Sequence, residues 1–118
     1  MVTWDGVREI ALSLPGVEEG TSYGTPAFRV RRRFLARLWP EEQDVLVLRL
    51  SDPDEQTFLV DMHPDTYFIT PHYEGHPSVL VRLRAIDREE LHGLFIDAWR
   101  SQAPKRMVEA FDEGAEGD

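Results

Sequence analysis

Three runs of strand character follow one another between Ala27 and Leu50, and the short spacers between them constrain the kind of sheet this chain can build. In AFRVR, Phe28 and Val30 alternate with Arg29 and Arg31, the two-residue period of a strand with one buried face. RFLARLW continues the pattern, with Phe34, Ala36 and Leu38 on one side. Arg32–Arg33 is the expected tight turn between the two runs, although neither residue is a favoured turn former. DVLVLRL follows the turn at Pro40 to Gln43, and its nearly continuous apolar character marks a central strand. A parallel connection needs about a dozen residues or more for its crossover, so spacers this short make the sheet largely antiparallel.

Helical patterns flank these runs. Thr3 is a suitable N-cap for a helix from about Trp4 to Leu14, whose stripe is Val7, Ile10, Ala11 and Leu14. Pro15–Gly16 ends it, and Val17 to Pro26, rich in Gly, Thr and Glu, reads as a loop. Asp52–Pro53 opens a short helix with Phe58, Leu59 and Met62 as its apolar side. TYFIT and SVLVRLR read as two further strands joined by PHYEGHP. Asp87 with Glu90 forms an acidic capping box, and the helix it opens carries Leu91, Leu94, Phe95, Ala98 and Trp99 on one face. Pro104 interrupts that helix, and Lys105 to Phe111 adds a last turn or two. The expected fold is a two-layer α+β domain over residues 1–111 with an acidic, disordered tail at 112–118. Helices cover one face of its sheet and leave the other open.

Composition narrows the chemistry. The chain of 118 residues has the length of one domain. It has no cysteine, which excludes disulfides, zinc–thiolate sites, iron–sulfur clusters and thiol nucleophiles. The start, MVTWDGVREI, lacks the apolar stretch of a signal peptide, and no apolar run approaches the roughly 18 residues of a membrane span. The expectation is a cytoplasmic protein without a membrane partner. Net charge is −9, which on average repels nucleic acid, but the charge is segregated. Ala27 to Trp39 holds five arginines and no acid, whereas Asp112 to Asp118 holds four acids and no base.

Few of the reactive residues fit a catalytic pattern. His72 and His76 are four apart in a Pro- and Gly-containing loop, short of the three or four ligands a zinc site needs, so no metal or cofactor is expected. The serines occupy none of the strained-turn contexts that activate a hydroxyl. GTSYGTP lacks the Gly-Lys-Ser/Thr ending of a phosphate loop, and no GxGxxG follows a strand. The arginine strands are the stronger feature. By strand parity Arg29, Arg31, Arg49, Arg82 and Arg84 point away from the core, where guanidinium groups could grip phosphates bidentately. Tyr23, Tyr67 and Tyr73 would add stacking surfaces near the edge if exposed. The same arginines would also serve simply to solubilise an exposed face. His72, Tyr73 and His76 form a second candidate set, as a ligand loop.

LPGVEEGTSYGTPAFRV, FITPHYEGHPSVLVRL and DAWRSQAPKR together resemble the YjbR (MmcQ/YjbR-like) family of small bacterial proteins, over nearly the whole chain to about Arg106. The resemblance implies an α-β(3)-α-β(2)-α domain similar to the secretion-chaperone and frataxin-like (CyaY-like) folds. Family members are often labelled DNA-binding, with a double wing of β-structure as the surface. Many have a tryptophan after the loop histidine, where this chain has Pro77 and Ser78 after His76. The resemblance carries over no catalytic residue. The expected function is a non-enzymatic binding domain contacting nucleic acid through the arginine face. The alternative is a protein-interaction or chaperone-like module, either monomeric or dimeric.

Overall fold

The computed structural model describes residues 1–116, in the order α1 (Trp4–Leu12), β1 (Val17–Ser22), β2 (Thr25–Val30), β3 (Arg33–Leu38), β4 (Val45–Arg49), α2 (Asp54–Met62), β5 (Tyr67–Phe68), β6 (Ser78–Arg82), α3 (Arg88–Gln102) and α4 (Lys105–Glu116). A 3-10 turn spans Pro71–Tyr73. The strands form one antiparallel sheet in the order β1-β2-β3-β4-β6-β5. Among the described residues, no helix is long and apolar enough to cross a membrane.

The α+β class and antiparallel sheet follow the sequence pattern, with two differences in element order. Val17 to Ser22, expected as loop, is the edge strand β1. Its side chains are mostly exposed, so it lacks the apolar alternation that marks a half-buried strand, and pairing with β2 alone defines it. At the other end, the segment expected to be a disordered tail continues α4 to Glu116, and Asp112 pairs with Arg100 of α3. Gly117 and Asp118 lie outside the described residues.

The main core lies between one sheet face and the helices. Trp4 of α1 stacks on Phe28 of β2 with ring centroids 5.6 Å apart. Trp99 of α3 is fully buried, donates its indole N–H to the Pro15 carbonyl at 2.8 Å, and packs against Phe111 of α4. One side chain thus ties the stop signal after α1 to both C-terminal helices. Thr3 caps α1 by accepting from the Gly6 N–H, as its position implies. Asp87 accepts from the Glu90 N–H, but the Glu90 carboxylate turns to the Tyr67 hydroxyl, at 3.0 Å, so half of the capping box serves the core. Tyr67 is therefore a core residue and no stacking surface. Burial, with that hydrogen bond and the charges of Glu90 and Asp87, raises its phenol pKa above the ordinary value.

A β-bulge changes which residues of β3 face the core. Phe28 pairs with Ala36 but Arg29 pairs with Phe34, so β3 carries the extra residue Leu35. Leu35 and Ala36 are both fully buried in the main core, and Phe34 is sent to the opposite face. The expectation that Phe34, Ala36 and Leu38 share a face fails at Phe34, because a strict two-residue period allows no inserted residue. On α2 the expected apolar side is also redrawn. Phe58 and Met62 are exposed, while Leu59 and Val60 approach the core and Gln56 is buried.

Both hairpins of the β1 to β3 run turn through residues with positive φ. Tyr23 and Gly24 join β1 to β2 at φ 52° and 79°. Arg31 and Arg32, one position before the expected turn, join β2 to β3 at φ 50° and 71°. Positive φ at both central residues matches strand twist but costs a side chain about 1 kcal/mol or more at each non-glycine position. Replacing the pair (Arg31→Asn with Arg32→Gly) is expected to raise stability by about 1 kcal/mol. A higher urea midpoint at unchanged slope checks this; a lower midpoint would mean the arginine side chains make contacts that outweigh the strain.

Candidate functional site

The sheet face opposite the helices is not open along its length. Val45, Val47 and Leu80 form a second buried cluster there, packed by Phe34, Trp39, Phe68 and Tyr73. Tyr73 brings the loop between β5 and β6 onto this cluster, and one buried side chain holds that loop. Gln56 of α2 is 3% exposed. Its amide nitrogen lies 2.7, 3.0 and 2.8 Å from the carbonyls of Tyr73, His76 and Ser78, and its amide oxygen accepts from the Gly75 N–H at 3.0 Å.

Between this loop, the β1–β2 turn and the sheet lies a cleft of about 620 Å³. Its floor is Val47 and Phe34, and Arg29 and Arg37 rise from β2 and β3. Tyr73 and His72 form the wall on the loop side, and Tyr23 stands at the turn with 93% of its surface exposed. Cross-strand register puts these side chains on one face, since Arg29 pairs with Phe34 and Arg37 with Val47. Arg37 donates to the Tyr73 hydroxyl at 2.7 Å, and its guanidinium carbon lies 5.7 Å from the Tyr23 ring centroid. Arg29 donates to the Thr21 carbonyl at 3.1 Å. Neither guanidinium forms an ion pair among the described residues, so both retain charge for a ligand.

The five arginines expected to share this face are dispersed. Only Arg29 lines the cleft. Arg31 sits in the β2–β3 turn, because the hairpin closes one residue earlier than its sequence indicates. The Arg49 guanidinium faces the end of α3, where the side-chain amide oxygen of Gln102, once the amide is turned to the orientation that satisfies both groups, accepts from Nε at 2.8 Å and Nη2 at 3.2 Å. Arg82 lies over the Phe68 ring at 4.1 Å and donates to the Pro64 carbonyl. Arg84 is paired with Asp44 at 3.0 Å. Parity places a Cβ on a face, but it does not say where five long side chains end.

Arg37 replaces them in the site. Its signal was available, since it lies between Ala36 and Leu38 of the core-facing set. Phe34 carried none, because only the bulge turns it toward the cleft. In the ligand loop, His72 and Tyr73 do line the cleft. His76 stands behind them, its ring stacked on His72 with centroids 6.0 Å apart. The described residues contain no group of three His, Asp or Glu side chains arranged to hold a metal ion. The arrangement offers two fixed cations, flat rings and an apolar floor, the recognition elements for an anionic ligand with a planar part.

The chain is thus a small α+β domain with a cationic, aromatic cleft on the far side of its sheet. It belongs to the YjbR family, whose model matches residues 12–101. Uncharacterized proteins of Mycobacterium tuberculosis H37Rv (Rv2570) and Mycobacterium bovis (Mb2600) are each 36% identical, over 94% of this chain and 96% of the relative. The crystal structure of Deinococcus radiodurans protein DR2400, with a DUF419 domain, superposes with a TM-score of 0.71 at 24% identity, covering 84% of this chain and 77% of that one. That likeness carries the fold.

Gln56 can be tested directly. Gln56→Leu removes the side-chain partner of the Tyr73, His76 and Ser78 carbonyls and of the Gly75 N–H, which is expected to cost about 1–3 kcal/mol. Faster amide exchange confined to residues 73–78 and a lower urea midpoint are the expected readouts. Unchanged exchange at Gly75 would show that the loop is held by other contacts.

Proposed function

We propose that the domain is a non-enzymatic module that binds single-stranded nucleic acid in the cleft between the β1–β2 turn and the β5–β6 loop. The observation that carries this reading is the convergence of Arg29 and Arg37 with Tyr23, Phe34 and Tyr73 on one surface. Guanidinium groups bind phosphate oxygens bidentately, and every unpaired base offers a face for stacking on an aromatic ring. A duplex keeps its bases stacked inside and presents mostly phosphate to a surface like this one. The cleft's two arginines, in a chain of net charge −9, are a weak lure for it. Single strands fit the chemistry better, because stacking supplies affinity that charge alone does not.

The number of arginines makes the reading quantitative. Anisotropy of labelled oligonucleotides should give a slope of log K against log salt of about −1.4, at roughly 0.7 per neutralised phosphate of a single strand. A face of five arginines would give about −3.5 by the same rule. Arg37→Ala or Tyr23→Ala should weaken binding about tenfold, within the roughly 1–3 kcal/mol of one stacked base. Arg31→Ala and Arg84→Ala should change it little. Absence of binding at low salt would end the nucleic-acid reading and turn attention to protein partners.

A further inference from the structure

The cleft does not stop at Arg37. Beyond it lies a second hollow of about 410 Å³ that shares Arg37, His72 and Tyr73 with the first and adds Trp39 and Glu41. The two differ in charge. The cleft is lined by arginines without an acid, whereas the hollow adds one carboxylate to the shared guanidinium. Glu41 is exposed in the turn between β3 and β4 and makes no hydrogen bond or ion pair among the described residues, so its acceptor oxygens are uncommitted. Trp39 is half-buried and steadied by Phe68, its ring edge-on at 5.7 Å. Its backbone N–H is also fixed, donating to the Val45 carbonyl at 2.9 Å.

We infer that this hollow is a nucleobase subsite that selects guanine, with Glu41 as the specificity-determining residue; the inference rests on the nucleic-acid reading of the cleft. An ionised carboxylate accepts only, and it repels a phosphate, so the hollow suits a base and leaves the backbone to the arginines. Among the four bases, guanine alone presents two adjacent N–H donors, N1–H and the N2 amino group, on its pairing edge. Such a pair matches the two oxygens of a carboxylate. Adenine and cytosine offer one amino group beside a ring acceptor, and thymine flanks its single N–H with carbonyls, so each sets an acceptor against Glu41. Trp39 and the shared loop rings provide the apolar faces between which a base can lie. Arg37, standing where the two concavities meet, is placed for the phosphate that links two successive nucleotides.

The test compares a six-residue oligothymidylate with three versions carrying a single central guanine, adenine or cytosine. The full chain should bind the guanine oligonucleotide about tenfold more tightly than the other three. Glu41→Gln places an amide N–H against one of the two guanine donors and should reduce that preference to within twofold. It should leave oligothymidylate binding at least as strong, which shows that the variant is folded and the cleft intact. Glu42→Gln is the control. Its residue lines a separate depression with Arg82 and Arg84, and the guanine preference should survive the change. Equal binding of all four oligonucleotides, or a guanine preference that persists in Glu41→Gln, overturns the base subsite while the cleft reading stands. Failure of every oligonucleotide to bind overturns both.

Discussion

The cleft takes its shape from the extra residue that β3 carries opposite Phe28. Insertion of Leu35 lets two consecutive side chains, Leu35 and Ala36, enter the main core. Residues on either side then fall on the other face, so Phe34 and Arg37 project together where an uninterrupted strand would have separated them. Register carries this choice across the sheet. Phe34 meets Arg29, Arg37 meets Val47, and Val47 meets Leu80. A bulge also increases local twist, which turns a flat strand surface toward the concavity a ligand needs. A sheet without it would present a different set of side chains from the same sequence.

Gln56 links the two sides of the domain. It belongs to α2, whose Leu59 and Val60 pack on the helix-side core, yet its amide holds the backbone of the loop that covers the opposite face. A loop held only by short-range turn hydrogen bonds is ordinarily mobile, because water satisfies its backbone as well as protein does. A buried amide with donors and an acceptor in the right places removes that freedom. Tyr73 is thereby placed to receive the Arg37 hydrogen bond, and Arg37 gains a fixed direction at the junction of the two hollows.

Much of the framework was legible in the chain. The apolar runs of β4 and β6, the capped starts of α1 and α3, and the proline and glycine that end α1 each report local requirements that neighbours in sequence satisfy. Edge strand β1 was not legible. Its polar side chains meet solvent, and its definition lies in hydrogen bonds to a partner strand. The buried role of Gln56 was equally hidden, since its partners are backbone groups 17 to 22 residues away and leave no pattern in side-chain chemistry.

The candidate site divides along the same line. The sequence by itself determined that the arginines cluster around one hairpin, that aromatic residues punctuate the connecting loops, and that the β2 to β4 run must pair antiparallel, because composition and spacing are properties of the chain. It also placed Arg29, His72 and Tyr73 among the candidates. Only the tertiary structure decided which guanidinium groups remain free. Arg82, Arg84 and Arg49 end on a ring, a carboxylate and an amide contributed by other segments, and Arg31 is carried away by its turn. Arg37 was selected by a hydroxyl 36 residues distant. A side chain of four rotatable bonds finds its partner in space, and that partner exists only after the sheet has closed.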